Sequence, residues 1–253
     1  LRPQELYLGR GVAASGPLAT RMGLAGIPVA AETIALHVVF ELVRATGARV
    51  HLCRLSSAAG IELLRKAKSE GLPVTADVGI HSLPLTDPDL GYYDTRARLS
   101  PPLRQSRDRD ALRAALAEGL IDVLVSDHTP VDADAKTLPF AEAEPGATGL
   151  ELLLSLTLKG AAEQGVDMTA ALARVTSEPA RVLGPALGTL QASVGRLAVG
   201  GVAELWRVRP RRHWTVGPAS LRSQGKHTPF EGLELPGVVR CTLVGGHVAY
   251  EAP

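Results

Sequence analysis

The chain has 253 residues, with 27 lysines and arginines against 26 aspartates and glutamates, a formal net charge of +1 and 45% hydrophobic residues. These values predict an ordinary soluble globular protein, and the near-neutral charge argues against a nucleic-acid-binding or membrane-surface protein. No apolar stretch approaches the roughly 18 to 20 residues that a bilayer span needs. The isolated Cys53 and Cys241 exclude a disulfide scaffold and a cysteine-rich zinc site, and they favour a reducing, cytoplasmic setting.

Strands and helices alternate along the first part of the chain. Periodicity and turn residues predict, in chain order, helix 30–46, strand 49–55, a helix from Ser56-Ser57 to Gly71, strand 74–78, a helix capped by Ser106 and ending at Gly119, strand 121–125, and helices 150–164 and 168–183, the last interrupted near Pro179. This alternation favours a parallel sheet, in an α/β barrel or a doubly wound fold. The last 60 residues or so become rich in Gly and Pro, with β-like runs at 204–208, 238–243 and 247–250, which indicates a small β-rich module.

Candidate functional residues lie where the predicted parallel strands end, because the functional groups of α/β folds collect there. The first strand contains His51, the second runs into His81, and the third is followed directly by Asp127. A single histidine within a strand is usually a core or helix-facing residue, which is the interpretation favoured for His51. His81 fits a functional or a structural role equally well. Asp127 is either a loop cap or a metal ligand and proton-transfer group, and spacing does not decide between them.

Several short motifs stand in one order along almost the whole chain. They are Gly26-Ile27-Pro28, Val50-His51, Gly71-Leu72-Pro73-Val74-Thr75-Ala76, Pro101-Pro102-Leu103-Arg104, Ser126-Asp127-His128, Glu178-Pro179-Ala180-Arg181, His227-Thr228-Pro229-Phe230 and Leu243-Val244-Gly245-Gly246. In this order the sequence resembles the dihydroorotases of the amidohydrolase superfamily, specifically the bacterial type that associates with aspartate transcarbamoylase.

The resemblance implies an α/β fold, namely the second half of a (β/α)₈ barrel plus a small C-terminal β-rich module. Residues 1–190 would contain strands five to eight with their helices, and residues 191–253 would form the module. The first four strands, with the His-x-His motif of the family, would precede Leu1. We therefore expect that half to lie outside this sequence or to be supplied by another chain.

The resemblance also implies a metal centre, in which a zinc-activated water attacks a cyclic amide while a carboxylate moves the proton. Carried over by position, His81 is a retained metal ligand, and Asp127 is retained as metal ligand and proton shuttle. Glu5 stands where the family has an aspartate ligand, and Arg54 stands where it has a histidine ligand. A guanidinium has no lone pair to give to zinc.

The substrate positions implied by the resemblance are altered as well. Ser100 replaces an asparagine, Val131 replaces a histidine, and Gly146 falls on a further substrate-binding position. The sequence therefore predicts a degenerate site without bound zinc, in an oligomeric structural or assembly partner of aspartate transcarbamoylase. The alternative is an active zinc-dependent dihydroorotase or a related cyclic-amide hydrolase.

Two expectations concern the space that the metal would fill. Cys53 replaces the lost ligand only if the register shifts, because neighbouring strand residues point to opposite faces. Arg54 is expected to approach Asp127 or His81 and so to neutralise a buried carboxylate. The competing expectation is that Arg54 extends into solvent.

Overall fold

A computed structural model describes residues 10–192 and 194–252. These residues form two compact units. The first contains the described residues up to Glu151 together with Leu221–Pro229, and the second contains Leu152–Ser220 and the described residues from Phe230 onward. The units divide the chain at a different place from the boundary expected after residue 190, which stays a prediction. Among the described residues, no helix is both long enough and apolar enough to cross a membrane.

The first unit is built from short parallel strands connected by helices. Its strands and α-helices are, in chain order, β1 (Ala13–Ala14), α1 (Pro17–Arg21), β2 (Gly26–Ile27), α2 (Ala30–Thr46), β3 (Val50–Leu52), α3 (Ala58–Ser69), β4 (Val74–Gly79), α4 (Ser106–Ala117) and β5 (Val123–Val125). β3, β4 and β5 form one parallel sheet in that order, and β1 pairs in parallel with β2. The predicted parallel sheet is confirmed.

Local sequence signals fix the ends of the two longest helices of this unit. α2 ends at Gly47, whose φ of 68° is the left-handed conformation that glycine adopts without steric cost. α3 begins after Ser57, whose Oγ accepts a hydrogen bond from the Gly60 amide at 3.0 Å. The expectation that Ser106 caps α4 is wrong by one residue. Gln105 is the N-cap, and it makes no side-chain capping bond.

A buried carboxylate ties α2 to the start of α3. Glu32, fully buried in α2, accepts hydrogen bonds from the backbone and hydroxyl of Ser56 at 2.8 and 2.7 Å and from those of Ser57 at 3.1 and 2.6 Å. The negative charge lies beside the amide groups at the N-terminus of α3, where the helix dipole favours an anion. This network holds the segment between β3 and α3, which includes Arg54, against the rest of the unit.

The two faces of the parallel sheet differ in chemistry. Leu52, Ala76 and Val78 are fully buried on one face. Because side chains alternate along a strand, His51 and Asp77 project from the opposite face. The register pairs Leu52 with Ala76, so that the residues immediately after them, Cys53 and Asp77, stand side by side.

The second unit contains helices and an antiparallel sheet. Its elements are α5 (Leu153–Gln164), α6 (Met168–Ala173), α7 (Ser177–Leu183), β6 (Leu205–Thr215), β7 (Glu234–Val244) and β8 (His247–Glu251). The strands pair in the order β6-β7-β8, which confirms the predicted β-rich module, although each strand is longer than predicted. The helix expected over 168–183 breaks at Arg174–Thr176. Pro179 is no breaker, because it lies in the first turn of α7, where a missing amide costs no helical hydrogen bond.

Candidate functional site

Arg54 and Asp127 follow strands β3 and β5 at the carboxyl edge of the parallel sheet. Both have left-handed backbones, with φ of 59° at Arg54 and 45° at Asp127. Such angles are uncommon for residues with a side chain, particularly for a long one such as arginine, and they cluster at functional sites. Both residues lie beyond the ends of their strands, which are Leu52 in β3 and Val125 in β5.

The two side chains form an ion pair. Arg54 Nη1 donates to Asp127 Oδ1 at 2.9 Å and to the carbonyl oxygen of Ser100 at 2.7 Å. The Arg54 side chain is 7% exposed and the Asp127 side chain 15% exposed. The predicted approach of Arg54 to Asp127 is therefore confirmed, and the alternative in which Arg54 extends into solvent is wrong.

The backbone of Arg54 is held as firmly as its side chain. Its amide donates to Asp77 Oδ1 at 2.6 Å, across from β3 to β4. Asp77 thus fixes the point at which the chain leaves β3 and turns Arg54 toward Asp127.

His81 lies in a short 3₁₀ turn, Ile80–Ser82, directly after β4. The ring is 2% exposed, and burial lowers the pKa of His81 to about 4, so the imidazole is neutral near pH 7. A Cβ at Gly149 would meet both the His81 ring, at 3.3 Å, and the carbonyl oxygen of Ser126, the residue before Asp127. A Cβ at Gly79, two residues before His81, would lie 3.4 Å from Asp127 Cβ. His81 and Asp127 therefore border the same part of the unit.

The other predicted site positions have different surroundings. Ser100 contributes its carbonyl oxygen to Arg54, as described above, and Val131 is a buried apolar residue with 7% exposure. Gly146 donates its amide to the Arg98 carbonyl oxygen at 2.9 Å, with a φ of 148° and close contact with Thr129. Glu5 lies outside the described residues. The structure therefore brings Arg54, Ser100 and Asp127 into direct contact.

A second cluster of polar groups lies on the face of the same sheet opposite to Leu52, Ala76 and Val78, and the sequence interpretation missed it. One ligand-type atom from each of His51, Cys53 and Asp77 lies within 4.8 Å of the other two. His51 Nε2 is 3.0 Å from Asp77 Oδ2, and His51 Nδ1 is 2.7 Å from Thr75 Oγ1. Assigning His51 to the core on its own overlooked that residue 53, two positions along the strand, shares its face.

The expectation that Cys53 replaces the lost ligand only after a register shift stays a prediction. β3 ends at Leu52, and Cys53 follows it directly. Cys53 approaches His51 and Asp77 without a register shift, since β3 and β4 pair without irregularity. It takes its place in a separate cluster, with neither His81 nor Asp127 among its members.

Proteins similar to this chain are named dihydroorotases or dihydroorotase-like proteins. It is 44% identical over 241 residues to a dihydroorotase-like protein of Pseudomonas aeruginosa, covering 95% of this chain and 55% of that protein. It is 42% identical over 238 residues to the dihydroorotase of Mycobacterium tuberculosis, covering 94% and 54%. The chain thus spans about half the length of the curated relatives that it matches. No family model matches the chain.

Comparison with solved structures identifies the fold. The L-hydantoinase (dihydropyrimidinase) from Arthrobacter aurescens superposes with a TM-score of 0.81 at 29% identity, over 90% of this chain and 50% of that one. The D-hydantoinase (dihydropyrimidinase) from a Thermus species superposes with a TM-score of 0.80 at 25% identity, over 94% and 52%. The predicted half of an amidohydrolase-type (β/α)₈ barrel with a C-terminal β-rich module is confirmed. Over its matched residues, the chain is similar to dihydroorotases and dihydroorotase-like proteins.

Proposed function

We propose that this chain is a noncatalytic dihydroorotase-like protein of pyrimidine biosynthesis. The observation that carries the proposal is the ion pair between Arg54 and Asp127. By resemblance, Arg54 stands at a metal-ligand position and Asp127 at the position of the ligand that shuttles the proton. These two positions therefore hold an ion pair that does not need a metal.

The donor set of the described residues does not fit zinc at the family position. His81 and Asp127 offer suitable atoms, but the Arg54 guanidinium supplies no lone pair and brings a permanent positive charge within 2.9 Å of the carboxylate. A divalent cation would have to displace this guanidinium from Asp127 and from Ser100. Because the Asp127 carboxylate accepts a hydrogen bond from Arg54, a reacting group would have to displace the guanidinium from this oxygen before transferring a proton to it.

The residues at the implied substrate positions also weaken substrate recognition. The implied substrate positions carry a serine at 100 and a buried valine at 131, and the valine side chain offers no hydrogen-bond donor or acceptor. A site built to hydrogen-bond a substrate loses much of its discrimination when such a group is replaced. These substitutions support loss of substrate binding together with loss of the metal.

The assay that tests the proposal is hydrolysis of dihydroorotate, and cyclisation of N-carbamoyl-aspartate, by the purified chain with and without added zinc. We expect no turnover above a buffer control in either direction. Turnover above that background, removed by Asp127→Asn, would establish the competing function, a zinc-dependent dihydroorotase or related cyclic-amide hydrolase. Retention of His81 and Asp127 is the observation that favours that alternative.

For the biological role, we propose that the chain is a structural or assembly partner of aspartate transcarbamoylase. The support is resemblance to the dihydroorotase type that associates with that enzyme. Mixing the two purified proteins at micromolar concentration and measuring mass by light scattering tests this role. A complex of defined stoichiometry is expected, and two separate species at those concentrations would contradict it.

A further inference from the structure

We propose that His51, Cys53 and Asp77 form a binding site for a divalent transition metal such as zinc or cobalt, separate from the family's metal position. The inference begins from the chemical types of the three side chains. Imidazole, thiolate and carboxylate are the protein ligands of zinc, with bond lengths of about 2.0 to 2.3 Å. Two ionised ligands and a neutral imidazole would balance the charge of a divalent cation.

The sheet brings the three ligands together. His51 is in β3 and Asp77 is in β4, and Cys53 directly follows β3 on the side of Asp77. Their donor atoms lie within 4.8 Å of one another, whereas tetrahedral zinc with the bond lengths above needs ligand separations of about 3.3 to 3.8 Å. Side-chain rotations that move a donor atom by roughly 1 Å close this difference, because the backbone of both strands is already in place.

Neighbouring groups orient the ligands in the way that metal sites require. His51 Nδ1 lies 2.7 Å from Thr75 Oγ1, and His51 Nε2 faces Asp77. With a metal bound to Nε2, the ring proton would be on Nδ1 and would be donated to the threonine hydroxyl. Such a second hydrogen bond fixes the tautomer and orientation of a metal-bound histidine. Asp77 Oδ1 accepts the Arg54 amide at 2.6 Å, which leaves Oδ2 directed at His51.

The cluster is also accessible to solvent, and the charges around it suit a cation. The His51 side chain is 26% exposed and Cys53 is partly exposed, whereas the Asp77 side chain is 6% exposed. The guanidinium of Arg54, the residue that follows Cys53, points to Asp127 and Ser100. Three protein ligands leave one tetrahedral position for water, which is the arrangement of an open zinc site.

Binding is a proton-releasing exchange. The Cys53 thiol loses its proton to solvent as sulfur binds the metal, and the His51 proton moves from Nε2 to Nδ1 as Nε2 binds. Asp77 binds as the carboxylate. One proton is therefore released for each metal bound.

Cobalt(II) titration of the purified, reduced chain tests this site, because cobalt bound by a thiolate gives a sulfur-to-metal charge-transfer absorption. We expect this absorption to saturate at one cobalt per chain and to disappear on addition of zinc. Cys53→Ser should remove the absorption, and Thr75→Val should weaken affinity by about 10- to 100-fold, as removal of a supporting hydrogen bond does at metal sites. The matched control, Cys241→Ser, changes the other cysteine of the sequence and should leave the titration unchanged.

Two outcomes overturn the proposal. They are a charge-transfer absorption that survives Cys53→Ser, and no thiolate absorption at any cobalt concentration up to the millimolar range. His81→Ala distinguishes this site from the family position, since it should leave the cobalt absorption intact. The result does not depend on turnover, so failure here leaves the noncatalytic function untouched, and dihydroorotate hydrolysis would leave this site untouched.

Discussion

Replacement of Arg54 by methionine tests whether the guanidinium stabilises the protein by neutralising Asp127. The substitution keeps an apolar stem of similar length and removes the charge and the hydrogen bonds to Asp127 and Ser100. Breaking one side of a buried ion pair costs about 3 to 5 kcal/mol, because the remaining charge is left without compensation. The Asp127 side chain is 15% exposed, so water still solvates part of the remaining charge. We therefore expect the lower end of this range, a loss of about 3 kcal/mol.

Urea denaturation followed by circular dichroism measures this loss. With a denaturant slope of about 2 kcal/mol per molar urea, the midpoint should fall by about 1.5 M. Combining Arg54→Met with Asp127→Asn should recover at least half of the loss, because the stranded charge is then removed as well. Arg113→Met is the matched control, since Arg113 donates to the Leu83 carbonyl oxygen at 2.6 Å, and it should cost about 1 kcal/mol.

The reasoning is refuted if Arg54→Met unfolds within about 0.5 kcal/mol of the unaltered chain, a difference typical of surface substitutions. It is also refuted if the double variant is no more stable than Arg54→Met alone. Either result would mean that the ion pair adds nothing beyond what solvent supplies to Asp127.

Three further predictions follow from buried groups of the first unit. Because His81 has a pKa of about 4 in the folded chain and 6.5 ordinarily, its contribution is complete above pH 6.5 and is lost as the pH falls toward 4, a change of about 3 kcal/mol. His81→Gln should flatten that pH dependence in urea denaturation, and an unchanged slope would contradict the burial argument. Gly60→Ala should destabilise by about 1 to 3 kcal/mol, despite the better helix propensity of alanine, because a Cβ there would collide with Glu32 Oε1; a raised melting temperature would contradict this. Arg54→His should give no dihydroorotate hydrolysis, because Ser100 and Val131 are unchanged; measurable turnover would show that Arg54 alone prevents catalysis.

The elements of the first unit could be predicted because local signals and packing agree. α2 combines an apolar period with a glycine at its C-terminus, and α3 combines a serine cap with the same kind of period. In the second unit the strands of the antiparallel sheet extend well beyond the apolar runs. β6 includes alternating arginines and a proline that carry no strand signal, and its length comes from pairing with β7.

The candidate site could be predicted in part. The position of Asp127 follows from the pattern of strands, and the family resemblance places Arg54 at a metal-ligand position. Charge complementarity then predicts the contact between the two side chains. The cluster of His51, Cys53 and Asp77 could not be predicted, because it depends on the register between β3 and β4, which places Asp77 beside Cys53. Local sequence specifies which residues share a face of one strand, but the partner across the sheet depends on tertiary pairing.

The central claim is that Arg54 occupies the place of the family's zinc by pairing with Asp127. Anomalous X-ray scattering at the zinc edge from zinc-soaked crystals tests it most directly, because the measurement locates each bound zinc atom. We predict no zinc peak between His81 and Asp127, with the Arg54 guanidinium within hydrogen-bonding distance of Asp127, and a peak among His51, Cys53 and Asp77. A zinc peak bonded to both His81 and Asp127, with Arg54 displaced, would contradict the claim.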